Sequence, residues 1–155
     1  MSDRKELLNQ LISLAQLDID AVHAYTAAIE RIDLENVKRQ LTIFRGDHER
    51  HISNLSPLIV QMGGEAPSRS PDLKGFFIQG FTAVRSMFGN EQAIKAMKGN
   101  EELTNRTYSQ ALELDFPQDI RGVIQGNLND ERKHLEYLNG CISERIWERG
   151  EKEVA

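Results

Sequence analysis

The chain repeats itself at a fixed offset, and no other feature limits so strongly what it can fold into. Aligning His51 with His134 sets a shift of 134 − 51 = 83 residues. That shift also pairs Asp18 with Glu101, Tyr25 with Tyr108, Asp47 with Asp130 and Leu55 with Leu138, without a gap. Each half supplies a carboxylate and, 33 residues later, a histidine. Neither half can bury such polar positions alone, so the two are expected to face each other about a pseudo-twofold axis. In the second half Glu131 and His134 are three residues apart. On a helix that spacing points both side chains the same way, as two metal ligands from one helix must.

The apolar pattern identifies the elements as helices. Leu11, Ala15, Val22, Tyr25, Ile29 and Ile32 step by threes and fours, predicting a helix that Ser2 or Asp3 caps and that runs to about Ile32. Asp18 sits on that stripe, where an unpartnered aspartate would be costly, whereas Asp20 and His23 fall off it and are expected to be solvated. A second stripe, Val37, Leu41, Phe44, His48, His51, Leu55, Leu58 and Met62, carries two histidines in succession and is closed by Gly63-Gly64. The third, Ile94, Met97, Glu101, Tyr108 and Leu112, predicts a helix over about 91–115 with Asn90 as its cap. The fourth follows Phe116-Pro117 and reads Ile120, Ile124, Asn127, Glu131, His134, Leu138, Cys141 and Ile146.

Connection lengths suggest the topology. Short turns at 33–36 and 115–118 make two antiparallel hairpins, 3–62 and 90–148, within a single domain spanning 1–155. The segment between them, 63–89, is long enough to return along the bundle and would place the third helix beside the second. Phe77, Phe81, Val84 and Phe88 recur there at helical spacing, so a short extra helix over 73–88 is expected, packed across the bundle or, as the sharper alternative, forming a homodimer or membrane-surface contact. Asp18, His48, His51, Glu101, Glu131 and His134 would then meet at one level. So many buried ionisable groups argue for a bound metal over a core held by hydrogen bonds alone.

Composition narrows the chemistry. The single Cys141 permits neither an internal disulfide nor a thiolate site, so carboxylates and imidazoles must hold any metal. A net charge of −5 leaves no basic cluster to neutralise phosphates, which excludes nucleic acid as a partner. No apolar run approaches the ~20 residues that span a bilayer, and no signal-peptide core follows Met1, so no membrane partner and a cytoplasmic location are expected.

Together these features resemble the ferritin-like superfamily of dinuclear carboxylate four-helix bundles, in which one Glu from each of two helices joins Glu-x-x-His from the other two. The chain is similar in particular to a bacterial group of ferritin-like proteins of unknown function, over roughly residues 5–145. The shared features are Gly63-Gly64-Glu65, the aromatic crossover, and a third helix containing Gly99-Asn100-Glu101-Glu102 and Tyr108-Ser109-Gln110-Ala111-Leu112. The resemblance implies an all-α, ferritin-like four-helix bundle with an extra short helix in the crossover between helices 2 and 3. It also implies Asp18 and Glu101 as terminal carboxylates, His51 and His134 as nitrogen ligands, and Glu131 as a bridging carboxylate.

His48 stands where a second bridging Glu would be. An imidazole that binds through one neutral nitrogen leaves three carboxylates for two divalent ions, and one positive charge to be met by hydroxide or another anion. A single ion, or a nitrogen-rich zinc site, is the alternative. Asp47 and Asp130, each a turn before a histidine, are expected to receive the second ring nitrogens of their own or the opposite hairpin's histidine, unless they are ordinary surface partners. Tyr25 and Tyr108 are placed to hydrogen-bond to the site, although buried tyrosines in bundles commonly satisfy one another or the backbone. Glu30 and Glu113 are expected in solvent.

Two functions follow as expectations. In the first, two metal ions, iron foremost with manganese or zinc as alternatives, react with oxygen or peroxide in a ferroxidase-like, peroxidase-like or stress-protective role. In the second, a metal-stabilised bundle without turnover acts as a structural or interaction module.

Overall fold

A computed structural model of the chain describes residues 2–71 and 89–149. Those residues contain four α-helices and no strand: α1 (Arg4–Arg31), α2 (Glu35–Gln61), α3 (Asn90–Ala111) and α4 (Gln118–Ser143), with a 3-10 turn at Ile146–Glu148. This all-α arrangement is compatible with the expected ferritin-like bundle. The short helix and dimer contact expected within 73–88 lie outside the described residues.

Local chemistry sets most of the helix ends. The Asp3 carboxylate accepts the Glu6 backbone N–H at 2.7 Å, so Asp3 is the cap of α1. The expected cap of α3 is corrected, because Gly89 takes that position and the Asn90 side chain is used elsewhere. Its amide accepts from the Asp33 backbone N–H at 2.9 Å and donates to the Asp33 carboxylate at 2.6 Å, tying the α1–α2 turn to the start of α3. α3 also ends at Ala111, four residues before the expected boundary at 115, in a turn held by the Arg121 guanidinium on the carbonyls of Leu112 and Leu114. Ile146 is buried as expected, but it follows a left-handed Arg145 and lies outside α4.

Gly63 ends α2 with φ 90°, and the Gly63 and Gly64 backbone N–H groups donate to the carbonyls of Val60 and Ile59. A side chain at that φ is strained, so Gly63→Ala should destabilise the protein by about 1–2 kcal/mol. Gly99, inside α3 with open space where a Cβ would go, should behave oppositely, with Gly99→Ala gaining about 0.5–1 kcal/mol. Thermal unfolding of the two variants would test this. A neutral Gly63→Ala would remove the capping argument.

Side-chain pairing fixes how the helices neighbour one another. α1 packs on α2 and α3 on α4, and across the bundle α1 meets α3 while α2 meets α4. The expected placement of helix 3 beside helix 2 is therefore corrected. Tyr25 bonds Glu101 while Tyr108 bonds Asp18, so α1 and α3 run antiparallel. Asp47 bonds His134 while Asp130 bonds His51, so α2 and α4 do too. α2 and α3 consequently run parallel at opposite corners, joined through the segment that follows α2.

That segment begins along α1. The Arg69 carbonyl lies 2.9 Å from His23 Nε2, and Ser70 accepts from Gln16 at 3.2 Å. The expectation that Asp20 and His23 are solvated is corrected here. His23 is half-buried, and Asp20 is buried at 4% exposure, accepting from Gln16 Nε2 at 2.9 Å. A helical stripe identifies the face toward the bundle but not a second face covered by a connecting strand of chain. Glu30 and Glu113 are exposed as expected.

Two apolar clusters fill the interior, and their separation positions the site. One gathers Leu11, Leu14, Leu55, Ile59, Phe116 and Ile124, and the other Ile32, Val37, Leu41, Ile94, Met97 and Leu138. Each fully buried Leu or Ile stabilises the fold by about 1.5–3 kcal/mol. This burial offsets the cost of the polar layer that lies between the clusters.

Candidate metal centre

Asp18 on α1, His48 and His51 on α2, Glu101 on α3, and Glu131 and His134 on α4 are completely buried in that layer. They form two four-residue sets, each of which could hold a metal ion: Asp18, His48, His51 and Glu131, and His48, Glu101, Glu131 and His134. In the first set the Nδ1 atoms of His48 and His51 lie 2.7 and 3.0 Å from Asp18 Oδ1, and 3.3 and 3.2 Å from Glu131 Oε1. In the second, His48 Nε2 is 3.1 Å and His134 Nδ1 is 3.4 Å from Glu101 Oε1, and His134 Nδ1 is 3.2 Å from Glu131 Oε2. The sets share two residues but divide their atoms. Glu131 turns one oxygen to each, and His48 turns one nitrogen to each.

The surrounding contacts are exchanged between the halves. His51 Nε2 meets Asp130 Oδ2 and His134 Nε2 meets Asp47 Oδ2, both at 2.9 Å. Each histidine thus keeps Nδ1 toward the centre and Nε2 on a carboxylate from the opposite hairpin, the arrangement that fixes ring orientation and raises the basicity of the inner nitrogen. Arg50, on the surface of α2, donates to both aspartates. Tyr25 donates to Glu101 Oε1 at 2.5 Å, and Tyr108 donates to Asp18 Oδ2. The tyrosines therefore satisfy neither each other nor the backbone. Each follows its acid by seven residues, two helical turns or about 10.5 Å, so antiparallel packing of α1 on α3 sets each hydroxyl opposite the other helix's acid.

These contacts decide where protons sit. Burial, together with the carboxylates of Glu101 and Asp18, pushes the Glu131 carboxyl well above the usual carboxylate range. Burial works against a charged His48, but the hydrogen bonds to Asp18 and Glu101 outweigh it and raise the imidazole to about 10. Burial likewise opposes ionisation of Asp18, yet the attraction of His51 and the bonds from His48 and His51 lower it to about 2. Glu101 is held well below its ordinary value, burial being overcome by its bonds to His134 and His48. Burial and the adjacent acids raise both tyrosines, which keep their protons and donate. Without a metal, the two residues shared by both sets, His48 and Glu131, are both shifted toward their protonated forms.

One atom tests whether a cation suits the layer. Glu131 Oε1 is buried and accepts no hydrogen bond, although it lies between the inner nitrogens of His48 and His51. An unsatisfied buried carboxylate oxygen is costly, and a cation in the first set would satisfy it. The residues present therefore fit a metal ion.

A family model described as Domain of unknown function (DUF2383) matches residues 6–114. The chain belongs to that family. No curated protein matches it. The matched residues end before α4, so within this DUF2383 chain the places of Glu131 and His134 rest on the geometry and the internal repeat.

Several contributors to this buried layer carry no signal in the repeat. The Thr104 hydroxyl lies 2.9 Å from Glu101 Oε2, but its counterpart at the repeat offset is Ala21. Arg50 is a surface residue by pattern that meets Asp47 one turn back on its own helix, and only the approach of α2 to α4 brings Asp130 within its reach. The offset pairs Phe44 with Asn127 and Asn54 with Tyr137, which makes the two ends of the layer unlike. On the His134 side Phe44 packs 4.2 Å from the imidazole and 5.5 Å from Tyr137. On the other side Asn54 and Asn127 exchange amide hydrogen bonds of 2.9 and 3.1 Å, and Asn127 also donates to Tyr108 at 3.2 Å. One set thus has an aromatic wall, the other a polar one.

Proposed function

We propose that this chain is a ferritin-like protein whose two donor sets hold a pair of metal ions, iron or manganese foremost, that react with oxygen or peroxide. The division of the Glu131 oxygens and His48 nitrogens between two otherwise separate sets supports this most directly. Hard carboxylate oxygens mixed with imidazole nitrogens suit iron, manganese or zinc, and the first two also change oxidation state. The bound metals would supply the redox chemistry. Of the chain's own residues, Asp18 and Glu101 would neutralise charge, His51 and His134 would be oriented by Asp130 and Asp47, and Tyr25 and Tyr108 would steady the terminal carboxylates.

The complete burial of all six inner residues favours a second reading, a metal-stabilised bundle without turnover that serves as a structural or interaction module. Metal content after loading with Fe(II), Mn(II) or Zn(II) and washing comes first, followed by Fe(II) oxidation in air or peroxide. About two iron or manganese ions per chain, with oxidation faster than buffer alone, is the result expected of the redox protein. Binding with no oxidation above the buffer rate would leave the stabilised bundle, and no retained metal would end both readings.

An outer contact gives a narrower expectation. Asp47→Asn removes the charged acceptor of His134 Nε2 and should weaken the ion on that side about 10–100-fold while sparing the other. Competition titration against a chelator would measure it. Equal weakening of both ions would mean that Asp47 acts on the whole layer.

A further inference from the structure

We infer that His48 bridges the two metal ions as an imidazolate, with Nδ1 on the ion of the Asp18 set and Nε2 on the ion of the Glu101 set. The inference rests on the two-ion reading above and concerns what joins the ions. Both ring nitrogens face inward: Nδ1 lies 2.7 Å from Asp18 Oδ1 and 3.3 Å from Glu131 Oε1, and Nε2 lies 3.1 Å from Glu101 Oε1. His51 and His134 differ, since each spends Nε2 on an outer aspartate. His48 has no outer carboxylate, and both its nitrogens are available to the layer.

Symmetry points the same way. The repeat offset pairs His48 with Glu131, so the two occupy equivalent places where the halves meet, and Glu131 also divides its two polar atoms between the sets. Each ion would then receive one terminal carboxylate, one terminal imidazole, one oxygen of Glu131 and one nitrogen of His48. The expectation from sequence that this imidazole offers a single nitrogen is corrected by the geometry, which presents two.

Charge gives the independent argument. Asp18, Glu101 and Glu131 carry three negative charges, one short of balancing two divalent ions in a fully buried layer. An imidazolate supplies the fourth, with no need of hydroxide or another anion. The bridge forms when the first ion displaces the proton of one ring nitrogen and makes the opposite N–H more acidic, as a bound metal does for water, and the second ion takes the place of that second proton. Both ring protons, and the proton that Glu131 carries without a metal, pass to solvent.

Nitrogen NMR of the Zn(II)-loaded protein, labelled with 15N in histidine only, tests this directly, with stoichiometry measured on the same sample. The expected result is two zinc ions per chain, with His51 and His134 each showing one metal-shifted and one protonated nitrogen. His48 would show two metal-shifted nitrogens and no one-bond N–H coupling. A retained N–H on His48 would overturn the bridge, and with two zinc ions bound it would leave the dinuclear reading intact. Failure to bind zinc, manganese or iron would overturn both. His48→Gln assigns the resonances and should lower the stoichiometry from two ions to one, with circular dichroism confirming the helices. A folded His48→Gln that keeps both ions at unchanged affinity would also overturn the bridge, and should the variant not fold, the spectrum of the unaltered protein decides.

Discussion

Glu131→Gln is expected to raise the melting temperature of the metal-free protein while removing its capacity for two ions. Burial and the neighbouring acids keep Glu131 protonated in the folded state, whereas the unfolded chain releases that proton near 4.5. A carboxyl whose pKa rises on folding takes stability away once the pH exceeds its unfolded value, because ionisation then favours the unfolded chain. Glutamine has the shape of the protonated acid and retains a donor and an acceptor, but it has no proton to lose. The gain should be present at pH 7 and should fade as the pH falls below about 4.5. Thermal unfolding after chelation, at both pH values, gives the answer. An unchanged or lowered melting temperature at pH 7 would mean that folded Glu131 is ionised. The sign expected here is that of a functional residue retained at a cost to stability.

Asp18→Asn should act in the opposite direction. Asp18 accepts from Tyr108, His48 and His51, and its carboxyl is lowered from 3.8 to about 2. A carboxyl depressed on folding contributes stability above its unfolded pKa and loses it as the pH falls through the folded value. At neutral pH the shift corresponds to roughly 2–3 kcal/mol, or a fall in melting temperature of roughly 5–10 °C for a chain of this size. The deficit of the variant should shrink between about pH 4 and pH 2, where the parent protein also gains a proton. A loss independent of pH would trace the effect to packing. Two acids in contact with the same imidazole thus carry opposite expectations, which neither residue type nor burial alone would distinguish.

Much of this protein was written in local periodicity. Steps of three and four placed His48 and His51 on the inner face of α2, and Glu131 and His134 on that of α4. The single offset of the repeat was enough to expect Asp18 and Glu101 at the same level. A stripe says which side of a helix is inward because that depends only on 3.6 residues per turn. It does not say which helix lies opposite. That is why α3 came to rest against α1 instead of α2, and why Asp20, off the stripe, is buried beside Gln16, whose amide also donates to the Ser70 carbonyl. The reach of each tyrosine to the other half's acid and the bond of Arg50 to Asp130 are likewise contacts between helices.

The sequence by itself determined the four long helices of the described residues, two related halves and the chemical identity of a buried layer of acids and imidazoles. Only the tertiary structure decided how that layer divides: which oxygen of Glu131 and which nitrogen of His48 serve each side, and which shared groups keep a proton. The reason is one of range. Helix formation and inward facing are set within a few turns of chain, whereas protonation and ligand sharing depend on distances of about 3 Å between groups from four separate helices. Packing alone fixes those distances.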